Sequence, residues 1–325
     1  MRYIDNLNTN PYFNLATEEY LLKHTHEEYF MLWRNESCIV VGKNQNTLSE
    51  INEDYVGKHN IKVVRRLTGG GAVFHDLGNI NFTFIVNDGG SFNDFYKFVE
   101  PIIEVLATLG VKAEFSGRND LLIEGKKFSG NAQCKHKDRV MHHGTLLFSS
   151  SMTDLSAALI AKPIKFSDKS VKSISSRVTN ISEHLGDSSI DVLRFKELVF
   201  EHLALKKGAI IEELNEQETE YISKLKEDKY STWDWNFGKS PKYNFKQEKK
   251  FQGGTVESNI EVQEGIIKEI KIFGDFFGKE DIKFLENKLI GIKHERSAIL
   301  KALEDVDISR YMSNISKENL LEVLF

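Results

Sequence analysis

Residues 65–85 read RRLTGGGAVFHDLGNINFTFI and concentrate the parts of an anion site. Arg65 and Arg66 precede Thr68 and three consecutive glycines, Gly69, Gly70 and Gly71, before an apolar strand begins. Three glycines in a row are costly unless the backbone must do what a Cβ forbids. One such task is a turn whose N–H groups converge on an anion, or whose main chain lies flat against a ligand. Arginines beside such a turn favour phosphate or carboxylate, which the planar guanidinium binds bidentately. A tight strand-to-strand turn with two solvated arginines fits the same composition.

A second cluster lies in residues 117–133, GRNDLLIEGKKFSGNAQ. Its apolar runs read as two strands joined by Glu124-Gly125-Lys126, which gathers Asn119, Asp120, Lys127, Ser129 and Asn131 near one hairpin. Asp120 offers a hard oxygen to Mg²⁺, an ion held by one or two carboxylates plus phosphate oxygens. Lys127 is placed to offset charge building on a phosphorus centre. Together these describe a site for a phosphorylated ligand, although a single Lys or Asp in a hairpin is more often a solvated charge. The dinucleotide GxGxxG is absent. Gly238-Lys239-Ser240 has the end of a phosphate loop, but Trp233 stands where its first glycine belongs.

Two other residue types invite chemistry. His142 and His143 are adjacent on a strand, so their side chains face opposite ways and cannot serve one metal together; a hydrogen-bonded structural role is expected of at least one. Cys134 follows the Lys127 hairpin and is a candidate nucleophile, or else a small buried apolar residue.

The elements that must position these groups are legible in outline. Asn10-Pro11 opens a helix over residues 11–24, expected on the outside of the fold. Residues 29–34 and 38–42 have the pattern of a hairpin. Strands are expected at 61–64 and 72–74 on either side of the glycine loop, and residues 80–86 alternate as in a half-buried strand. Apolar residues at three- and four-residue spacing from Phe95 to Leu109 predict an amphipathic helix ended by Gly110, its phenylalanines serving the core. A further strand is expected at 140–148, and helices at 191–205 and 216–226. Residues 162–180, rich in lysine and serine, read as a long polar loop of the kind that serves as a lid. Beyond about residue 251 a hairpin around Glu264-Gly265 and helices at 279–289 and 295–303 suggest a small α+β module.

Composition sets the outer bounds. A chain of 325 residues, 40% hydrophobic and 28% charged, supports one large or two ordinary domains. Its net charge of −5 argues against broad nucleic-acid binding, which needs a basic footprint. Two cysteines, Cys38 and Cys134, build neither a disulfide scaffold nor a zinc knuckle. No apolar run suggests a signal peptide or a membrane span, so a cytoplasmic protein is expected.

RRLTGGGAVFHDLGN, GRNDLLIEGKKFSGNAQ, HHGTLLF, VKSISSRVTNI and WDWNFGKSP, in that order, resemble the motif series of the lipoate-protein ligase A family, and NPYFNLATEEYLL is similar to the family's start. The resemblance covers most of residues 1–245. It implies an α+β fold: a mixed-sheet catalytic domain of the biotin/lipoate-ligase type over residues 1–246, and a small accessory domain over 247–325. It also implies a two-step reaction, in which lipoate and ATP give lipoyl-AMP and pyrophosphate before the lipoyl group passes to a lysine of a lipoyl carrier domain. Mg²⁺ would assist. Carriers would be the glycine cleavage H protein and the acyltransferase subunits of 2-oxoacid dehydrogenases.

By motif position, Lys127 would be catalytic, touching the lipoyl carbonyl and the α-phosphate. Arg66, Thr68, Gly70, Gly71, His143 and Thr145 would hold the lipoyl and adenylate groups. Val73, Phe74, His75, Asn119 and Asp120 would meet the nucleotide, with Asp120 also at the metal, and Lys172, Arg177 and Asn180 would close over the adenylate. Thr68 stands where the family usually has serine, and Cys134 where some members carry a basic residue. A cysteine-dependent octanoyl or lipoyl transferase of the same superfamily, using no ATP, is the alternative; the C-terminal module favours the ligase.

Overall fold

The computed structural model describes residues 1–325 apart from 46, 49, 118, 160–177, 206–207, 241–242, 275 and 277. The polar loop expected at 162–180 therefore falls largely outside the described residues, as do Lys172 and Arg177. The chain forms two compact units, Met1–Thr232 and Trp233–Phe325.

The first unit runs β1 (Arg2–Asn6), α1 (Pro11–Lys23), β2 (Tyr29–Trp33), β3 (Cys38–Val41), α2 (Glu53–Lys58), β4 (Lys62–Arg65), β5 (Val73–His75), β6 (Asn79–Asn87) and α3 (Phe95–Thr108). It continues through β7 (Ala113–Ser116), β8 (Asp120–Ile123), β9 (Lys126–His136), β10 (Arg139–Leu147), α4 (Met152–Ala158), α5 (Val192–Leu203), β11 (Ile211–Glu212) and α6 (Glu216–Leu225). Eight strands form one mixed sheet in the order β11-β1-β2-β6-β10-β9-β8-β7, and β4-β3-β5 form a small second sheet.

Register explains which side chains meet. Trp33 lies opposite Asn81, and Asn81 opposite Thr145; Thr83 lies opposite His143, and His143 opposite Ala132. Since side chains alternate across a strand, these residues share one face of the large sheet. The other face carries Leu32, Phe82 and Phe84, which pack with Phe98, Ile102 and Val199 of α3 and α5 in the main core.

Three expectations are corrected here. The strand at 80–86 is not half-exposed: β6 is buried from Asn79 to Val86, because Asn81 lines the site cavity and Thr83 is hydrogen-bonded to Glu18 of α1 and to Trp33. Residues 29–34 and 38–42 do not pair as a hairpin, since β2 joins β1 and β6 while β3 joins β4 and β5. Helix α1 is not an outer helix. Asn10 caps it by accepting from the Tyr12 and Phe13 amides, and ten of its thirteen residues are buried. Glu18 and Glu19 are among them, and both find partners in the interior.

The second unit has β12 (Tyr243–Phe251), β13 (Gly254–Gln263) and β14 (Ile266–Gly274) in one antiparallel sheet, followed by α7 (Lys283–Leu289), α8 (Arg296–Ala302) and α9 (Lys317–Leu324). The expected hairpin turn is present, with Glu264 and Gly265 both at positive φ. Its core joins Ile260, Ile270 and Ile272 to Leu285, Leu289 and Leu320. Strand β12 and helix α9 escaped the sequence reading. The first alternates charges too densely to show an apolar face, and the second has only eight residues.

Candidate active site

A cavity of about 160 Å³ opens between the cavity-facing side of the large sheet, the glycine loop and α1. Leu15, Trp33, Val40, Ala72, Val73 and Ala132 supply its apolar wall. Its polar wall includes Asn119, Lys127, Asn131, His143 and Thr145.

The hairpin turn at Glu124-Gly125, both at positive φ, joins β8 to β9 and brings Lys127 back beside Asp120. Lys127 Nζ lies 2.8 Å from Asp120 Oδ1, each side chain a little over one-third exposed. A Cβ on Gly130 would stand 3.0 Å from that ammonium, so the glycine lets the lysine lie along the strand into the cavity. Asn119 and Asn131 brace the approach: Asn119 Nδ2 donates to the Asn131 carbonyl at 2.7 Å, and Asn131 Nδ2 to the Asn119 carbonyl at 3.1 Å. The Gly130 amide donates to Thr145 Oγ1.

The two arginines are not solvated. Arg65 is fully buried and donates to the carbonyls of Gly42, Lys43 and Gln45 and to Thr47 Oγ1, tying down the turn after β3. Arg66 donates to the carbonyls of Val40, Gly69 and Gly71 and through Nε to Thr68 Oγ1. Burial lowers both guanidinium groups to about 10. Arg66 thus shapes the glycine loop while itself lining the cavity, and Gly70 sits at φ +96° where a Cβ would strike it at 2.8 Å.

Behind this loop runs a buried relay that includes a residue the sequence reading did not single out. Thr68 Oγ1 lies 2.8 Å from His143 Nε2, and His143 Nδ1 lies 2.9 Å from Glu18 Oε1. Glu18 also accepts from the Thr83 hydroxyl, which in turn accepts from the Trp33 indole. Arg66, Thr68, His143, Glu18, Thr83 and Trp33 form one connected set in which the carboxylate is the acidic centre. Two adjacent acids within an otherwise apolar helix were the available signal.

The remaining expected residues divide. Val73 and His75 line the cavity, whereas Phe74 between them faces the opposite side and is buried. Thr68 and Asp120 stand behind lining residues, as partners of His143 and Lys127. Asn180 does not line the cavity; it exchanges hydrogen bonds with the backbone of Ser150. The chain emerging at Val178 pairs with Lys127, and the Thr179 amide donates to the Lys127 carbonyl. His142 lies in the core against Phe82 and Phe98, bonded to Gln133 and Asn131, and burial drives it down to about 3, as befits a structural histidine. Cys134 is half-buried and absent from the cavity wall, and burial pushes its thiol up to about 12, which leaves little thiolate at neutral pH. Among the described residues no group of three or more His, Cys, Asp and Glu side chains is placed to hold a metal, so an ion at Asp120 would draw its other ligands from phosphate and water.

A mixed sheet, a glycine loop held by arginine and a lysine-carboxylate pair beside a partly apolar cavity make a site suited to a ligand with both an anionic and an apolar part. The lipoyl protein ligase A/B catalytic domain model matches residues 10–204, and the bacterial lipoate protein ligase C-terminus model matches residues 240–324. The lipoate-protein ligase LplJ of Bacillus subtilis is 46% identical over 332 residues and lipoate-protein ligase 1 of Staphylococcus aureus 44% identical over 328, each alignment covering 100% of both chains. Among solved structures, a bipartite lipoate protein ligase of Thermoplasma acidophilum, described with its E2 lipoyl domain, matches with TM-score 0.66 and 27% identity over 74% of this chain and 98% of that one. LipL1 of P. falciparum, in complex with lipoate, matches with TM-score 0.59 and 28% identity over 99% and 98%. This chain belongs to the lipoate-protein ligase family, and the resemblance and the α+β fold class drawn from the motifs are borne out.

Proposed function

We propose that this chain joins lipoate to ATP and then delivers the lipoyl group to a protein lysine. One observation carries the reading: a single cavity passes from an apolar wall at Leu15, Trp33 and Val40 to Lys127, whose ammonium is paired with Asp120 behind it. The apolar part suits the acyl chain and the charged part its carboxylate. In the first step a carboxylate oxygen of lipoate attacks the α-phosphorus of ATP; the new P–O bond forms as the bond to the β-phosphate bridge breaks, releasing pyrophosphate. Lys127 touches the acyl and phosphoryl oxygens and stabilises their growing charge. In the second, the neutral ε-amine of a carrier lysine attacks the acyl carbonyl, AMP leaves, and the amine's proton passes to solvent.

Mg²⁺ would neutralise the triphosphate, with Asp120 as its ligand from this chain. Arg66, Thr68, Gly70, Gly71, His143 and Thr145 are assigned to the lipoyl-adenylate. Val73, His75 and Asn119, with the backbone at Phe74, are assigned to the nucleotide. Asn180 is assigned to anchoring the 178–180 segment against Lys127; Lys172 and Arg177 keep the adenylate-closing role that their motif implies. Carrier domains of the glycine cleavage H protein and of 2-oxoacid dehydrogenase acyltransferases are the proposed acceptors. A cytoplasmic setting accords with two free cysteines and with the use of ATP. No helix among the described residues is long and apolar enough to cross a membrane. The test is lipoate-dependent exchange of labelled pyrophosphate into ATP without any carrier protein. Exchange is expected, and its absence in folded protein supplied with Mg²⁺ overturns the reading.

A further inference from the structure

Glu18 is 1% exposed, yet it does not line the cavity, whereas His143, Arg66, Gly70 and Gly71 do. An acid buried this deeply is costly unless its partners need it. Whatever Glu18 does for the site passes through those partners.

Proton positions along the chain of bonds follow from what each group can give. The Thr83 hydroxyl accepts from the Trp33 indole, which only donates, and sends its own proton to Glu18 Oε1 at 2.7 Å. His143 Nδ1 lies 2.9 Å from the same oxygen and 3.1 Å from Oε2, so the ring carries a proton on Nδ1 and gives it to Glu18. At the other edge of the ring, Nε2 lies 2.8 Å from Thr68 Oγ1. That hydroxyl accepts from Arg66 Nε at 2.9 Å, and a guanidinium only donates, so the Thr68 proton is turned to Nε2. The chain has one direction: Arg66 gives to Thr68, Thr68 to His143 and His143 to Glu18.

Its last link bears on the ligand. With Nε held by Thr68, the guanidinium is aimed so that Nη2 donates to the carbonyls of Gly69 at 2.7 Å and Gly71 at 2.8 Å, and Nη1 to that of Val40 at 3.1 Å. Carbonyls on both sides of Gly70 are drawn to one nitrogen, which sets the course of the loop along the cavity. There is little slack, since a Cβ on Gly42 would stand 2.1 Å from the Gly70 carbonyl oxygen. Without an acceptor at Nδ1, the His143 proton is free to move to Nε2. Thr68 would then receive two donors, and its own proton would lose its partner.

We infer that Glu18 is a positioning residue for acyl activation: acting through His143 and Thr68, it holds Arg66, and with it the Gly69–Gly71 loop, in the shape that receives the acyl-adenylate. The inference rests on the proposed function and adds to it a residue that touches no ligand. The test uses the full chain, each variant assayed well below its thermal midpoint so that all are folded. Glu18→Leu is expected to lower kcat/KM for lipoate-dependent pyrophosphate exchange, and affinity for a non-hydrolysable lipoyl-sulfamoyl adenosine, by about tenfold to hundredfold, the scale on which a displaced positioning group acts. Glu18→Gln, whose one side-chain oxygen can keep both accepted bonds, recovers most of that loss. Glu19→Gln is the control for lost stability, because the neighbouring acid is bonded to Lys23, Lys229 and Tyr230 and reaches neither His143 nor the loop; its exchange constants stay at the wild-type level. Amide hydrogen exchange at residues 69–71 is expected to quicken in Glu18→Leu and not in Glu19→Gln. Nitrogen-15 spectra of the wild type should show the His143 proton on Nδ1. Wild-type constants and affinity in Glu18→Leu, an equal loss in Glu19→Gln, or a wild-type proton on Nε2 overturns the inference. If Glu18→Leu does not fold, Glu18→Asp, which keeps the charge but withdraws the oxygens by one methylene, decides: the same losses are expected, and wild-type constants overturn the inference. Absence of exchange in the wild type would instead count against the proposed function.

Discussion

Lys127 is held by Asp120 yet stays partly solvated, which suits a residue that must meet a ligand and then release it. Replacing it with alanine removes transition-state charge stabilisation while disturbing little packing. Lys127→Ala is therefore expected to lower the exchange rate by a factor on the order of 10² to 10³ and to leave the thermal midpoint nearly unchanged; exchange kinetics and a melting curve on the same sample check both. Thr68 presents the opposite case. Its hydroxyl sits between Arg66 Nε and His143 Nε2 in a fully buried position. Thr68→Val should destabilise the protein by about 1–3 kcal/mol through unpaired neighbours, measured by urea unfolding, and Thr68→Ser should be close to neutral. The chemistry of individual residues was largely legible in the sequence, because glycine, arginine and lysine in those patterns have few other uses. Their immediate partners were not. Arg66 lines the cavity and also holds the glycine loop, a second role that depends on three carbonyls brought together by the turn of the chain.

At the scale of elements, the lesson lies in polar residues that were given to solvent. Asn81 and Thr83 alternate with phenylalanines, and that period is equally well met by a strand with water on one face or by one whose polar side chains are buried under a helix and at a cavity. Only the position of α1 over that face decides between them. The helix itself was expected on the outside of the fold, yet ten of its residues, Glu18 and Glu19 among them, are buried. Burial alone would raise the Glu19 pKa, but hydrogen bonds from Lys229, Lys23 and Tyr230 outweigh it and bring the carboxyl down to about 2. An acid depressed in the folded state contributes stability that is complete above its unfolded value near 4.5 and is lost as pH falls towards 2. The amount is roughly 3 kcal/mol. Glu19→Gln should therefore be less stable than wild type at pH 7, and its stability should fall less steeply between pH 5 and 2; urea midpoints across that range check it.

The whole molecule has an acid weakness beyond any one pair. His75 and His142 are both kept neutral by burial, at about 3, whereas in the unfolded chain they take up protons near 6.5. The unfolded state binds more protons throughout that window, so stability should drop as pH falls from about 6.5 towards 3. His142→Phe, packed between the same aromatic neighbours, should reduce the slope by close to one proton at the cost of a constant offset; denaturation at several pH values separates the two terms. The compact units divide between Thr232 and Trp233, upstream of the boundary between 246 and 247 that the motif series implies. The carboxylates of Glu18 and Glu19 give this architecture one more property. One is bound to His143 beneath the cavity and its chain neighbour to Lys229 and Tyr230, the last turn before the first unit ends. Since each residue of a helix turns it by about 100°, inserting or deleting a single residue in the first half of α1 would swing both acids away from their partners together. The helix works as a double-keyed index, whose length before Glu18 is as tightly specified as the identities of the two acids themselves.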